Sequence, residues 1–383
     1  MRYTKSKDGY YRTSVWDGTY KNGKKHYKQF AAKTNDALNK MVNNYKIALK
    51  TGDAVATTDT SVYEYAKLWK SLKKDNKAAA TKDMYDNLIN KHIKNLDMPI
   101  SDLNHSTIQW FLNNYNDRPR TNQQLVMCLK QIIRMAIKDR LLPRDAISTL
   151  FEDISTPKYK SAEKRPLTDA EKAAIKDAEF TDREKAFIYT LYATGMRKEE
   201  ALALTIFDLD FNKSEIRINK TCVFVNSGTV LQQFTKSDNG YRSIPMPDYL
   251  KDLLQEYVKT LSGSNLFTKL DGTTITKNSY RRMMESIRNK MKNAYITDCK
   301  KKNDNFKENL INWDIIGFED LTAHIFRHNY CTMLCYEVLK GNISTKRIAA
   351  LLGDTEAMVL KVYSHIVEEK EKPVDAIQSA VAL

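Results

Sequence analysis

The chain has 383 residues, 42% of them hydrophobic and 28% charged, which suits two or three folded domains at about 100–200 residues each. A formal net charge of +15 favours an anionic partner, nucleic acid before any other, over a merely solvated basic surface. There is no run of about 18 apolar residues and no apolar core in residues 1–16, which argues against a membrane span or a secretory signal and points to a cytoplasmic protein. The five cysteines are odd in number and form no CxxC pair, which argues against a disulfide framework or a Cys-based metal site. Cys331 and Cys335, four apart on an expected helix, read as buried thiols.

Residues 1–53 carry 12 Lys or Arg against 4 Asp, a net of +8. They read as a small basic α+β unit. The stretches 10–16 and 25–30 are rich in aromatic and β-branched residues, as strands are, and Asp17-Gly18 and Asn22-Gly23 are turn signals. Asn35 is placed to cap a helix that carries Leu38, Val42, Tyr45 and Leu49 at helical spacing. A unit of this size has a small core and a basic face, which fits a DNA reader better than an enzyme.

Residues 51–60 are small and polar and read as a linker. An all-helical region follows over 61–152. Its apolar stripes are Val62/Tyr65/Ala66/Trp69, Ile108/Phe111/Leu112/Tyr115 and Leu125/Leu129/Ile132/Ile133/Ala136, with a helix break at Pro119. Residues 155–166 form a second polar, basic linker. From 167 to 383 the pattern is mainly helical with a small sheet. Helices are expected at about 168–177, 182–193 and 197–204, and strands at 216–218, 222–225, 230–234 and 242–244.

Four segments of this last region carry candidate chemistry. Thr194-Gly195-Met196-Arg197-Lys198-Glu199-Glu200 places an arginine at a helix start. Lys236 lies at an expected hairpin turn ahead of Tyr241-Arg242-Ser243-Ile244-Pro245. His324 and Arg327, three apart, share a helical face. Leu352-Gly353-Asp354 ends a helix ten residues before Tyr363. Singly, each has an ordinary explanation: a surface arginine, one lysine among many, a core histidine, a packing tyrosine.

In combination and in this order, the segments resemble the tyrosine recombinase (phage-type integrase) family. Its pattern is an Arg in a TG-x-R-x-x-E helix start, a Lys in a β-turn, an H-x-x-R helix, an LGH segment and a Tyr nucleophile. The resemblance implies a three-part molecule. Residues 1–53 would be an arm-site DNA-binding domain with a three-stranded sheet and a helix. Residues 61–152 would be an all-α core-binding domain, and 167–383 a mainly-α catalytic domain with a small antiparallel sheet and a C-terminal tail. It also implies double-stranded DNA at core and arm sites as partner, a homo-tetramer on DNA, an accessory excision or DNA-bending protein, and no cofactor or metal. In that reading Tyr363 attacks the scissile phosphate and stores the bond energy as a phosphotyrosine. Arg197 and Arg327 grip the non-bridging oxygens, Lys236 protonates the leaving 5′-oxygen, and His324 relays or holds the tyrosine proton.

The sequence departs from the pattern at Asp354, where the family has His or Trp. An ionised Asp cannot donate to a phosphate. Asp354 could face away as a helix cap, could accept a hydrogen bond from His324, Arg327 or Tyr363, or could be replaced in function by His328 or His365. Residues 289–320, with Lys300-Lys301-Lys302, read as an insertion that touches DNA or as a surface loop. The tail carries Val374, Ile377 and Val381 at helical spacing, which suits docking on a neighbouring subunit or on its own domain. Two other functions fit parts of the pattern: a DNA-binding relative without catalysis, which Asp354 favours, and a type IB topoisomerase, which the separate basic N-terminal unit disfavours.

Overall fold

Strands β1 (Tyr11–Lys21) and β2 (Lys24–Ala32) pair antiparallel, from Tyr11 opposite Ala32 to Lys21 opposite Lys24. This is a computed structural model, and it describes residues 2–21, 23–51, 58–160, 165–225, 228–233, 240–303 and 306–370. The hairpin closes at Gly23, whose φ of +76° suits a two-residue turn. Asp17-Gly18 is not a turn. Gly18 (φ +87°) sits where the register shifts between Trp16 and Tyr20, so the second turn signal is absorbed as a bulge inside β1. Asp17 is buried there and pairs with His26 across the strands.

The expected third strand is not found among the described residues. Upstream of β1 only an isolated bridge, Lys5 to Tyr11, forms. Residues 6–10 fold into a tight turn, with the Ser6 N–H donating to Tyr10 O and the Gly9 N–H to Ser6 O, which leaves too few extended residues for a strand. Alternation along β2 turns Phe30 and Ala32 toward helix α1 (Asn35–Thr51), where Leu38 and Val42 complete a small core. The Thr34 hydroxyl, not Asn35, accepts the Ala37 N–H at this helix start, while the Asn35 side-chain Oδ1 accepts the Tyr3 N–H.

A larger helical core follows. It is built by α2 (Val62–Lys74), α3 (Ala79–Lys91), α4 (His105–Asn113), α5 (Pro119–Lys138) and α6 (Ala146–Phe151). All three expected apolar stripes are buried in it, and Pro119 opens α5, where its missing N–H costs nothing. Trp69 meets Tyr85 edge-on at 5.2 Å, and the Lys74 ammonium lies over both rings.

By backbone contacts the chain divides into two compact units, Met1–Ser161 and Ala162–Leu383. The first unit holds the two cores just described. The second opens with α7 (Asp169–Asp177) and α8 (Asp182–Thr194), each started by a Thr/Glu capping box. A single turn, α9 (Lys198–Ala201), is shorter than expected because i→i+3 bonds at Ala203 and Leu204 tighten and end it. Strands β3 (Leu209–Asp210), β4 (Glu215–Ile218) and β7 (Arg242–Pro245) form one antiparallel sheet in the order β3-β4-β7. Strands β5 (Lys220–Val225) and β6 (Gly228–Gln233) form a separate pair. The connection from β6 to β7 therefore joins two sheets and does not close a hairpin. Lys236 belongs to that connection and lies outside the described residues, as does the 371–383 tail with Val374, Ile377 and Val381.

Helices α10 (Asp248–Lys259), α11 (Lys277–Lys302), α12 (Trp313–Ile316), α13 (Ala323–Leu339), α14 (Thr345–Leu352) and α15 (Glu356–Lys370) complete the unit. The stretch 289–302 is not a loop. It continues α11, which buries Met283, Met284, Ile287, Met291 and Ile296. The main core is formed from α7 to α13, and a satellite core lies between α13, α14 and α15. Cys331 and Cys335 are buried in the satellite. No helix among the described residues is long and apolar enough to cross a membrane.

Candidate active site

Gly195 sets the geometry. It ends α8 in the left-handed conformation (φ +59°), and a Cβ there would lie 2.5 Å from the Tyr330 ring on α13. Only glycine permits both the turn and this close approach. The chain then reverses, and Arg197 becomes the residue that precedes α9, packed toward α13 and α14.

Three arginines gather at the end of α14. The last carbonyls of a helix have no partners within it and carry partial negative charge. Here Arg242 Nε donates to Leu351 O at 2.6 Å, Arg327 Nη1 to Leu352 O at 2.8 Å, and Arg197 Nη2 to Gly353 O at 2.9 Å. Three successive carbonyls are thus each held by a different arginine. Arg327 Nη1 also reaches Gly195 O at 3.1 Å, which ties α13 to the turn before Arg197.

Two carboxylates balance the cluster. Glu200 is 1% exposed. Its oxygens accept from Arg197 N (2.7 Å) and Nη1 (3.0 Å) and from Arg242 Nη1 (3.0 Å) and Nη2 (2.8 Å). Burial pushes its pKa up toward the neutral form, but the Arg242 and Arg197 bonds and charges outweigh this and hold the carboxyl below its usual range. Asp354 Oδ2 accepts from Arg327 Nη2 at 2.9 Å and lies 3.7 Å from Arg197 Nη2, and its Oδ1 takes the Thr355 N–H at 3.0 Å. Burial again pushes the carboxyl up, and the Arg327 bond, the Thr355 N–H and the two positive charges pull it lower still. Of the arrangements the sequence left open, Asp354 adopts the acceptor one, with Arg327 as donor. Arg327, 5% exposed, has its pKa lowered by burial and by the neighbouring Arg197, with Asp354 opposing. The count is three positive charges against two negative, a net of one positive charge.

The remaining candidates flank this cluster. His324 is exposed on the first turn of α13, one turn before Arg327. Tyr363 is half-buried on α15, on the stripe Val359/Val362/Tyr363/Ile366 that faces the satellite core. His365 is exposed. Glu200 and Arg242 were not singled out from sequence. The spacing Arg197-x-x-Glu200 was a usable signal for the first, since it is that of a capping pair. For Arg242 the sequence offers only an arginine in a short strand.

Chemically, two guanidiniums that converge on one carboxylate oxygen form a receptor for an oxyanion with several acceptor atoms. The model of the phage integrase family matches residues 166–370, more than half of the chain and a span that contains Arg197, Lys236, His324, Arg327, Asp354 and Tyr363. The chain belongs to the phage integrase family.

Other relatives agree. A "Tyrosine recombinase XerC-like" protein of Caldanaerobacter subterraneus subsp. tengcongensis is 23% identical over 96% of this chain and 95% of its own length. Tyrosine recombinase XerC of Roseiflexus castenholzii is 24% identical, over about half of either chain: 49% of this one and 48% of its own. Among solved structures, the Tn1549 transposon integrase in complex with transposon right end DNA aligns with a TM-score of 0.62 at 19% identity, over 85% of this chain and 100% of that one. The lambda integrase dimer bound to a COC′ core site aligns with a TM-score of 0.54 at 14% identity, over 97% and 96%. These place the integrase in the tyrosine recombinase fold: mainly helical, with small antiparallel sheets and an N-terminal strand pair.

Proposed function

We propose that this integrase inserts and excises a mobile DNA element by cutting and rejoining DNA through a 3′-phosphotyrosine at Tyr363 and a Holliday junction. The observation that carries the residue roles is the convergence of Arg197 and Arg327 on one oxygen of Asp354 (3.7 and 2.9 Å), next to the helix that bears Tyr363. A scissile phosphate bound there exchanges for the carboxylate. The arginines take its non-bridging oxygens, and such preorganised donors are each worth a few kcal/mol, about 10²–10³ in rate, as charge builds in the transition state. Lys236 gives the proton to the leaving 5′-oxygen, and His324 holds or relays the proton of the Tyr363 hydroxyl. The attack forms the O–P bond to Tyr363 and breaks the bond to the 5′-oxygen. A 5′-hydroxyl of the partner strand later reverses the step, so no energy source is consumed.

The proposed layout is three-part: 1–53 on arm sites, 61–152 on the core site, 167–383 for catalysis. Four protomers assemble on two duplexes in the bacterial cytoplasm, each with its 373–383 tail docked on a neighbour, and an accessory excision or bending protein sets direction. Electrostatic binding makes affinity fall steeply with salt.

The test uses a core site selected by the protein from a random-sequence DNA pool, built into a duplex nicked so that cleavage is trapped. After denaturation a covalent adduct is expected with the natural sequence and none with Tyr363→Phe. Binding without any adduct would favour the silent DNA-binding reading, for which Asp354 at the anion position is the specific observation. Relaxation of plasmids that lack the site would favour a topoisomerase.

A further inference from the structure

Arg242 lies where three distant stretches of chain meet. Its Nε donates to Leu351 O at 2.6 Å, its Nη1 to Glu200 Oε1 and to Gly240 O at 3.0 Å each, and its Nη2 to Glu200 Oε2 at 2.8 Å. The side chain is 6% exposed. Through Glu200 it reaches the turn that carries Arg197. Through Leu351 it holds the end of α14, two carbonyls before the one Arg197 binds. Through Gly240 it holds the chain as it returns from the Lys236 connection. A planar guanidinium with five donors in a fixed fork can make these four bonds at once, whereas an ammonium has only three donors and no fork to match the carboxylate.

The link to Arg197 is direct. Each oxygen of Glu200 takes one bond from Arg242 and one from Arg197. The Arg197 Nη1 therefore points where Glu200 stands, and Glu200 stands where Arg242 fixes it. The same Arg197 turns its Nη2 toward Gly353 O and Asp354. Arg242 gives four of its five N–H donors to protein acceptors and its side chain is buried, so it does not itself meet DNA.

We propose that Arg242 is a positioning residue for strand cleavage: it locks Glu200 and the end of α14 and so aims Arg197 at the scissile phosphate. The inference rests on Arg197 being a phosphate ligand. The competing explanation is a buried ion pair that only helps the fold, as many do.

The two differ in a chemical readout. Single-turnover cleavage is measured on the nicked duplex bearing the selected core site, with the natural scissile phosphate and with each of its two phosphorothioate diastereomers. Arg197→Lys is expected to change the oxygen-to-sulfur rate ratio for one diastereomer. Arg242→Lys should slow cleavage on the order of 10²-fold, the effect of a remote misplacement of about 1 Å, and shift the ratio of that same diastereomer in the same direction, with DNA affinity nearly unchanged. Glu200→Gln should do likewise, and the double variant should be no slower than the slower single one. Should Arg242→Lys fail to fold, Glu200→Gln tests the same link from the other side. Slower cleavage with both ratios at the natural value, or unchanged cleavage, overturns the proposal in favour of a structural ion pair. If Arg197→Lys leaves both ratios unchanged, the phosphate-binding reading itself fails, an outcome distinct from failure at Arg242.

Discussion

Asp354 engages two arginines at once: its Oδ2 accepts from Arg327 at 2.9 Å and lies 3.7 Å from Arg197, the place that the proposed mechanism gives to an incoming phosphate. A carboxylate and a phosphodiester cannot both keep these donors at short range, since like charges repel. Replacing the carboxylate by an amide removes the competing charge and keeps the shape. Asp354→Asn is therefore expected to bind the core site more tightly, on the order of tenfold, or about 1.4 kcal/mol. Filter binding or fluorescence anisotropy at fixed salt reads this. Weaker binding would mean that Asp354 serves to hold the arginines in place and does not oppose the phosphate.

Arg327 is held by three acceptors at once, the carbonyls of Gly195 and Leu352 and the Asp354 carboxylate. Lysine keeps the charge but cannot reproduce the fork. Arg327→Lys should lower the rate of phosphotyrosine formation by about 10²–10³-fold and reduce the melting temperature as well, because two buried carbonyls lose their donor. A variant that melts lower but cleaves at the natural rate would remove Arg327 from the chemistry.

What could be read from the sequence was what rests on short-range pattern. The His324–Arg327 spacing, the Gly195-x-Arg197 turn and the helical stripes at 62–69, 108–115 and 125–136 depend on residues within one or two turns, and all appear as helices or caps in the structure. What could not be read depends on pairing between distant segments. Arg242 is an ordinary strand residue until Glu200 and Leu351 are brought to it from 42 and 109 positions away. The 289–302 stretch is so rich in lysine and asparagine that its helical character is hidden, although it buries Met291 and Ile296. At the N-terminus, Asp17-Gly18 and Asn22-Gly23 are equally good local signals. Only the continuation of pairing through Tyr20–Lys25 decides which of them turns the chain.

The turn before Arg197 makes a prediction about stability. Gly195 has φ +59°, and an added Cβ would come within 2.5 Å of the Tyr330 ring. Gly263 has open space around an added Cβ and no left-handed φ. Gly195→Ala should cost about 1–3 kcal/mol, while Gly263→Ala should be neutral or stabilise by less than about 1 kcal/mol. Urea unfolding of the two variants compares them directly. Equal midpoints would mean that the Gly195 turn can relax, and with it the placement of Arg197.

Glu184 links acid stability to the start of α8. Its Oε2 accepts from the Thr181 N–H at 2.9 Å and from Lys290 on α11 at 2.6 Å. Burial pushes the carboxyl up, but the Lys290 bond with those from Ser286 and Thr181 prevails, and its pKa falls to about 2. The unfolded value is about 4.3. Between the two values the unfolded chain binds more protons than the folded one, so stability rises with pH across that window. The contribution is fully present above the unfolded value and is lost as pH falls through about 2. Glu184→Gln removes the titrating group. The gap in denaturation midpoint between the natural chain and Glu184→Gln should therefore be largest at about pH 5.5 and narrow by about pH 3. Other carboxylates, Asp354 and Glu200 among them, titrate in both chains and cancel from the difference. A gap of equal size at both pH values would show that Glu184 keeps its ordinary acidity in the folded protein and that the Lys290 contact is weak.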